Sequence, residues 1–300
     1  DTGTNTTTHF KTHYVRIWKC GNNEIRGMED DLAKHLPPGT VEYKSNVQMK
    51  KNTWRPDEPG YPPACMYTAV RDPIVHFLSG YNEIEYRTTK KRTWPSAPYH
   101  TDLPLPGGND NDPQETRKKR FRGFVEDLLV EDGSFLVSSV YSHCFSMGRV
   151  LAVLAEQGRT LTGYLPDLVN LEETWPRFFT ETCPGLPPLE AFPQQPQERR
   201  RNLSGRQHES SSDPLGTYGA AKDVWAEGGP VARALCLLVA TDYACWNHTI
   251  PDLCRSVYTE HGPALTTAER RTDNQDISAL KKRPAPSKDT PGLRFPTRPL

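Results

Sequence analysis

The stretch that most constrains this chain is a short apolar run, Ala64 to Val70, which ends in Arg71-Asp72-Pro73 and passes into a segment of helical periodicity. It reads as a β-strand that delivers a cation to the start of a helix. Asp72 is a favoured N-cap, and Pro73 suits the first helical position, where its missing N–H would have had no partner anyway. Ile74, Phe77, Leu78, Tyr81 and Ile84 then recur at helical spacing and give the segment one face for a core. Ser79 returns to nearly the same side as Asp72 about two turns later. Arg71, the amides of the first turn and the Ser79 hydroxyl can therefore converge on one anion, because helix N-termini favour negative charge and Arg matches phosphate oxygens in a bidentate way. The plainer alternative is an Arg71 that salt-bridges Asp72 or Glu83.

A second segment has the same form. His13 to Trp18 reads as a strand, Lys19-Cys20-Gly21-Asn22-Asn23 as a small polar turn, and Ile25, Met28, Leu32 and Leu36 as one face of the helix that follows. A Gly with two Asn residues allows unusual backbone angles, so successive N–H groups can curl around a phosphate or sulfate while Lys19 adds a point charge. The nucleotide-triphosphate pattern Gly-x4-Gly-Lys-Ser/Thr is absent. Cys20 and Arg26 also form Cys-x5-Arg, the cradle of cysteine-dependent phosphatases, in which a helix N-terminus lowers the thiol pKa. Against that second reading stand Glu24 among the phosphate-binding residues, the absence of a mid-loop Gly, and an Arg71 motif left without a purpose.

The order and separation of the two segments resemble the sulfotransferases that use 3′-phosphoadenosine 5′-phosphosulfate (PAPS). Lys19 to Asn23 after a strand resembles their 5′-phosphosulfate loop, and Arg71-Asp72-Pro73 with Ser79 and Tyr81 is similar to their 3′-phosphate motif. The subgroup most resembled is the membrane-anchored carbohydrate sulfotransferases of the Golgi, over about residues 12 to 258. Ser142-His143-Cys144 through Leu151, a strand Leu168-Val169-Asn170-Leu171-Glu172, and a late helix ending at Asp242-Tyr243 sit where that family has comparable elements. The resemblance implies PAPS as sulfate donor, with Lys19, Cys20, Gly21, Asn22 and Asn23 around the 5′ end and Arg71 and Ser79 on the 3′-phosphate. It implies a carbohydrate acceptor, a Golgi or secretory location, and membrane attachment only through an N-terminal anchor outside this chain. Two departures stand out: His76 occupies a position that is commonly basic in the family, and Asn22-Asn23 replaces the common Gly-Thr or Thr-Ser. A non-catalytic glycan-binding protein of the same fold is a further alternative.

The implied chemistry is in-line transfer of a sulfuryl group to a hydroxyl. By analogy with phosphoryl transfer, it depends on positioning and charge neutralisation, with Lys19 stabilising the leaving phosphate. The proton of the hydroxyl needs a general base. Glu42 and Glu58 precede the second strand, but His143 is the choice by family position, against the plain reading of a capping or packing histidine. Gln207 to Pro214 resembles the family loop that closes over the nucleotide, with His208 and Ser211 as donor contacts; otherwise it is a polar loop ending in a turn at Asp213-Pro214. No metal-ligand cluster is evident in the sequence, so no catalytic metal is expected.

Composition fits this frame. The 300 residues carry a formal net charge of +0, so no global field draws the chain to nucleic acid or membrane. No run of 18 or more apolar residues occurs and the chain opens at Asp1, which suggests a trimmed fragment of an anchored protein. Seven cysteines and the sequons at Asn5, Asn202 and Asn247 point to the secretory route. Cys20 is best left free; among the remaining cysteines many connectivities are open, with Cys245–Cys254 across Pro251 the first expectation.

The punctuation predicts a frayed start over 1–10, one α/β catalytic domain over 11–261, and a disordered tail over 262–300, rich in Lys, Arg, Pro and Thr. Within the domain, strands alternating with helices predict a central parallel sheet with helices on both faces. Long irregular loops run from Thr88 to Thr116, a candidate acceptor wall, and from Pro184 to Leu215. Helices are expected around Phe121, Phe124, Leu128 and Leu129, from Phe145 to Gln157 with a stop at Gly158, and as one long helix through Val231, Leu235, Leu238 and Asp242. The basic run Arg117 to Arg122 reads as a solvated lead-in to a helix rather than a polyanion site.

Overall fold

The computed structural model describes residues 11–35, 64–89, 112–130, 141–144, 146–156, 158–166, 168, 171–183, 213 and 215–261. The chain divides into Asp1–Arg255 and Ser256–Leu300. Of the second unit only 256–261 is described, and it is helical. The expected N-terminal segment 1–10 and tail 262–300 lie outside the described residues.

Most of the described chain is helical, around a small parallel sheet. Strands β1 (Lys11–Tyr14), β2 (Ala64–Ala69) and β3 (Gly163–Leu165) lie in the order β1-β2-β3, with Tyr14 opposite Tyr67 and Tyr67 opposite Gly163. Pairing continues past the strand ends: the Val15 N–H donates to the Tyr67 carbonyl at 2.7 Å, and the Val70 N–H to the Leu165 carbonyl at 3.0 Å. Side chains alternate across the sheet. Cys65, Tyr67 and Ala69 face a core with Ile25 of α1 (Asn22–His35) and with Leu171, Trp175 and Phe179 of a later helix. Met66 faces the other way, with Val15 and Leu154. Leu36 and the side chain of Leu32 lie outside the described residues.

Helix α2 (Pro73–Thr89) follows β2. Its start is capped as expected, since the Val75 N–H donates to Asp72 Oδ1 at 2.9 Å. The predicted stripe is buried, and so are His76, Asn82, Glu83, Glu85 and Tyr86. Phe121 and Phe124 of α3 (Gln114–Val130) pack on Tyr81, with ring centroids 4.9 and 5.0 Å apart. The expected Thr88–Thr116 excursion shortens at both ends, because α2 reaches Thr89 and α3 begins at Gln114; residues 90–111 lie outside the description. The basic run lies inside α3 rather than before it. Lys118 and Arg122 pair with Glu227 at 3.0 and 2.7 Å, and Arg120 pairs with Asp112, so these cations are spent on neighbouring carboxylates.

A short 3-10 turn, Tyr141–Cys144, passes so close to α2 that a Cβ on Gly80 would lie 2.2 Å from the His143 carbonyl oxygen. The expected Phe145–Gln157 helix begins only at Arg149, as α4 (Arg149–Glu156); Phe145 and Gln157 lie outside the described residues, and Gly158 takes φ +65°. Of the expected strand Leu168–Glu172, Leu168 lies in a bend, Leu171 and Glu172 are helical, and Val169 and Asn170 lie outside the described residues. The third strand is Gly163–Leu165, and Leu171 opens helix α5 (Leu171–Thr182). A short apolar run does not by itself distinguish strand from helix, whereas Leu171, Trp175 and Phe179 repeat every fourth residue and bury one helical face.

Helix α6 (Thr217–Glu227) comes first, and the expected long helix through Val231, Leu235, Leu238 and Asp242 is two: α7 (Pro230–Leu238) and α8 (Ala240–Trp246). Gly228 at φ 72° ends α6, and Pro230 starts α7 at its first turn. Asp213 caps α6, accepting from the Tyr218 and Gly219 amides at 2.9 Å each. The last described helix, α9, covers 252–261.

Two disulfides close the described chain, Cys65–Cys183 and Cys236–Cys254. The expected Cys245–Cys254 bridge is therefore corrected. The break at Val239 sets Cys236 and Cys245 on different helices, leaving Cys245 exposed and Cys236 fully buried against Cys254. Such bridges belong to an oxidising, secretory-type environment. No described helix is long and apolar enough to cross a membrane.

Candidate functional site

Because β1 and β2 are adjacent and parallel, the residues that leave their carboxyl ends emerge on the same edge of the sheet, which is where α/β folds place ligands. The β1 exit is the loop through Lys19 and Gly21; the β2 exit is Arg71. The Nη1 of Arg71 donates to the Lys19 carbonyl at 3.2 Å and to Ser79 Oγ at 3.3 Å. One guanidinium thus joins the two motifs and holds the hydroxyl two turns along α2, while that hydroxyl keeps its own proton to donate.

The loop is fixed from inside. Lys19 and Gly21 take left-handed φ values of 63° and 66°. At Gly21 a Cβ would be strained by that angle and would meet Leu168 at 2.9 Å. The Asn22 carboxamide accepts from the Tyr14 hydroxyl at 2.7 Å and donates to the Ile17 carbonyl at 2.8 Å, so its side chain closes the loop. What Asn22 can offer a ligand is its backbone at the first turn of α1. The side chain of Asn23 lies outside the described residues.

The plainer reading of Arg71 does not hold. Asp72 Oδ1 is used as the cap and Oδ2 accepts from the Tyr243 hydroxyl at 3.2 Å, while Glu83 pairs with Lys19 at 2.8 Å and with Arg87 at 2.6 Å. Among the described residues, no carboxylate lies within ion-pair distance of Arg71. A half-buried guanidinium resting on two neutral oxygens retains most of its charge for an anion.

His76 is 1% exposed and donates from Nε2 to the Trp18 carbonyl at 2.8 Å. Burial lowers its pKa to about 4, with nearby Arg71 adding to the shift against the partly opposing Trp18 bond. It is therefore neutral at physiological pH. It tethers the loop and does not replace the basic residue common at this position in the resembled family.

His143 lies near the loop but is 2% exposed, with its ring tilted against Trp18 at 4.7 Å between centroids. Arg16 also rests on Trp18, 3.7 Å from the ring centroid. At that burial the His143 ring has little surface to offer an acceptor hydroxyl. Cys20 is fully buried, 3.6 Å from Met147 Sδ, and burial raises its thiol pKa strongly. Arg26 is exposed on α1. A phosphatase nucleophile must be an accessible thiolate, so the Cys20/Arg26 reading has lost its physical basis.

His208 and Ser211 lie outside the described residues; the described end of that segment, Asp213, is a helix cap. Trp18, the Asn22 carboxamide and the loop tether at His76 are roles the sequence reading missed. Glu83 stood there only as an alternative partner for Arg71. Its place four residues after Ser79 was the signal that it shares the Ser79 side of α2. No described group of three or more His, Cys, Asp or Glu side chains could hold a metal ion. No protein-family model matches the chain, and no curated protein or solved structure shows significant similarity to it.

Proposed function

We propose that this chain is a PAPS-dependent sulfotransferase of the Golgi carbohydrate type, acting on a hydroxyl of a glycan or polysaccharide in the secretory pathway. The observation that carries the reading is Arg71, a cation without a carboxylate partner among the described residues, hydrogen-bonded to both Ser79 and the Lys19 loop. In this reading Arg71 and Ser79 hold the 3′-phosphate, and the Lys19–Asn22 backbone with the Lys19 ammonium receives the 5′ end. The acceptor oxygen bonds to sulfur as the bond from sulfur to the 5′-phosphate oxygen breaks; the hydroxyl proton leaves to a base, and Lys19 neutralises the phosphate released. The oxidising environment of the disulfides suits a lumenal enzyme, and attachment to a membrane would come from an anchor beyond this chain.

Thermal melting with 3′-phosphoadenosine 5′-phosphate tests the reading. At about 100-fold excess over Kd, binding adds about 2.7 kcal/mol, which raises the Tm of a domain this size by several degrees. Arg71→Ala removes charge-assisted bonds worth about 1.5–3 kcal/mol and should weaken binding by roughly ten- to a hundredfold. No shift at saturating nucleotide overturns the proposal. Binding without sulfate transfer to a panel of glycans would point to the non-catalytic form.

A further inference from the structure

The two cations of the site are held in different ways. Arg71 rests on neutral oxygens, whereas Lys19 Nζ lies 2.8 Å from Glu83 Oε2, and Glu83 Oε1 lies 2.6 Å from Arg87 Nε. Ser79, Glu83 and Arg87 succeed one another at four-residue spacing along α2, so the carboxylate stands one turn beyond the hydroxyl that Arg71 holds. The backbone of Lys19 is thus at Arg71 while its ammonium is drawn along the helix, about 6 Å further on.

The side chain of Glu83 is 4% exposed and that of Lys19 16%, so the pair is shielded from solvent. Separating a shielded pair normally leaves a buried charge without a partner, which is costly. Arg87 changes that balance, because it remains on the second oxygen of Glu83 when Lys19 departs. The side chain of Arg87 is 30% exposed, so it can be solvated while it does so.

Resting on the donor-binding reading above, we infer that Glu83 is a positioning residue that competes with the donor phosphate for Lys19, and that Arg87 lowers the cost of releasing the lysine. Lys19 then has two acceptors, the Glu83 carboxylate and the phosphate at its own loop, and donor affinity reports their difference. Glu83 with both oxygens on cations is not placed to take a proton; its effect passes through Lys19.

The test is the Kd of 3′-phosphoadenosine 5′-phosphate, by calorimetry at fixed salt and pH, for the full chain, Glu83→Gln, Arg87→Met and the double variant. Glu83→Gln should tighten binding by about three- to tenfold, and Arg87→Met should weaken it by a similar factor. In the Glu83→Gln background the Arg87 effect should shrink below about twofold, because the coupling runs through the carboxylate. A Glu83 that only braced the fold would give the opposite sign, with binding weakened. Glu83→Asp keeps the charge with a shorter reach and should fall between the unaltered chain and Glu83→Gln, which keeps the test open if Glu83→Gln fails to fold. Weaker or unchanged binding in the Glu83 variants, or an Arg87 effect of equal size in both backgrounds, overturns the assignment of Glu83 alone. If the unaltered chain does not bind the nucleotide, the donor reading falls and takes this assignment with it.

Discussion

His76 and Glu29 are buried titratable side chains that limit stability from opposite ends of the pH scale. His76 has its pKa lowered to about 4, so an unfolded chain binds its proton first as pH falls. Its contribution is complete above about pH 6.5 and is lost through pH 4, an effect of roughly 3 kcal/mol. Glu29 accepts from the Tyr67 hydroxyl at 2.7 Å, and burial raises its pKa to about 8. Its contribution is complete below about pH 4.5 and is lost as pH rises through 8. Denaturant titrations at pH 4.5, 6 and 8 should therefore show His76→Gln flattening the acid limb and Glu29→Gln flattening the alkaline one. Unchanged limbs would mean that neither group is held in its neutral form. His76 was visible in the sequence as a missing cation; its tether to Trp18 was not, because that contact joins residues on two separate elements.

At the level of elements, α8 secures two other helices with neighbouring side chains. Asp242 accepts from the Gly148 amide at 2.8 Å just before α4, and Tyr243 donates to Asp72 at the start of α2. The sequence identified Asp242-Tyr243 by position, but that each serves a different helix N-terminus follows only from the packing. Helix α5 is the element whose type was misread, and its role is testable. Phe179 is fully buried, with its ring 4.9 Å from Tyr67 and 4.5 Å from Trp175. Phe179→Ala should cost about 3–5 kcal/mol in urea unfolding; a loss below about 1 kcal/mol would show that α5 does not fill the core over the sheet.

For the molecule as a whole, the small sheet is held at a distance in sequence by covalent bonds. Cys65–Cys183 ties the start of β2 to the residue after α5 across a separation of 118. A loop of that length gives a bridge its largest effect on the unfolded state, on the order of 4–5 kcal/mol in the chain-entropy account. Peptide mapping without reductant should recover Cys65–Cys183 and Cys236–Cys254. Maleimide should label exposed Cys245 in the native protein and buried Cys20 only after unfolding. Recovery of a Cys245–Cys254 peptide would overturn this connectivity. Reduction should lower the Tm by several degrees, as expected of a fold made for an oxidising compartment.

Locally encoded features could be read from the chain itself: the Asp72 cap, the Pro73 start, the buried stripe of α2, the turn at Gly21 and the alternation of strands with helices. Each depends on residues within a few positions of one another, where propensity and periodicity act. Only the tertiary structure decided that Arg71 meets the Lys19 carbonyl and Ser79 rather than a carboxylate, that Glu83 takes Lys19, that Cys20 and His143 are buried, and that Cys254 pairs with Cys236. Those outcomes turn on which side chains from distant segments reach a shared space first, and on how far burial removes water from them; neither is encoded in local spacing.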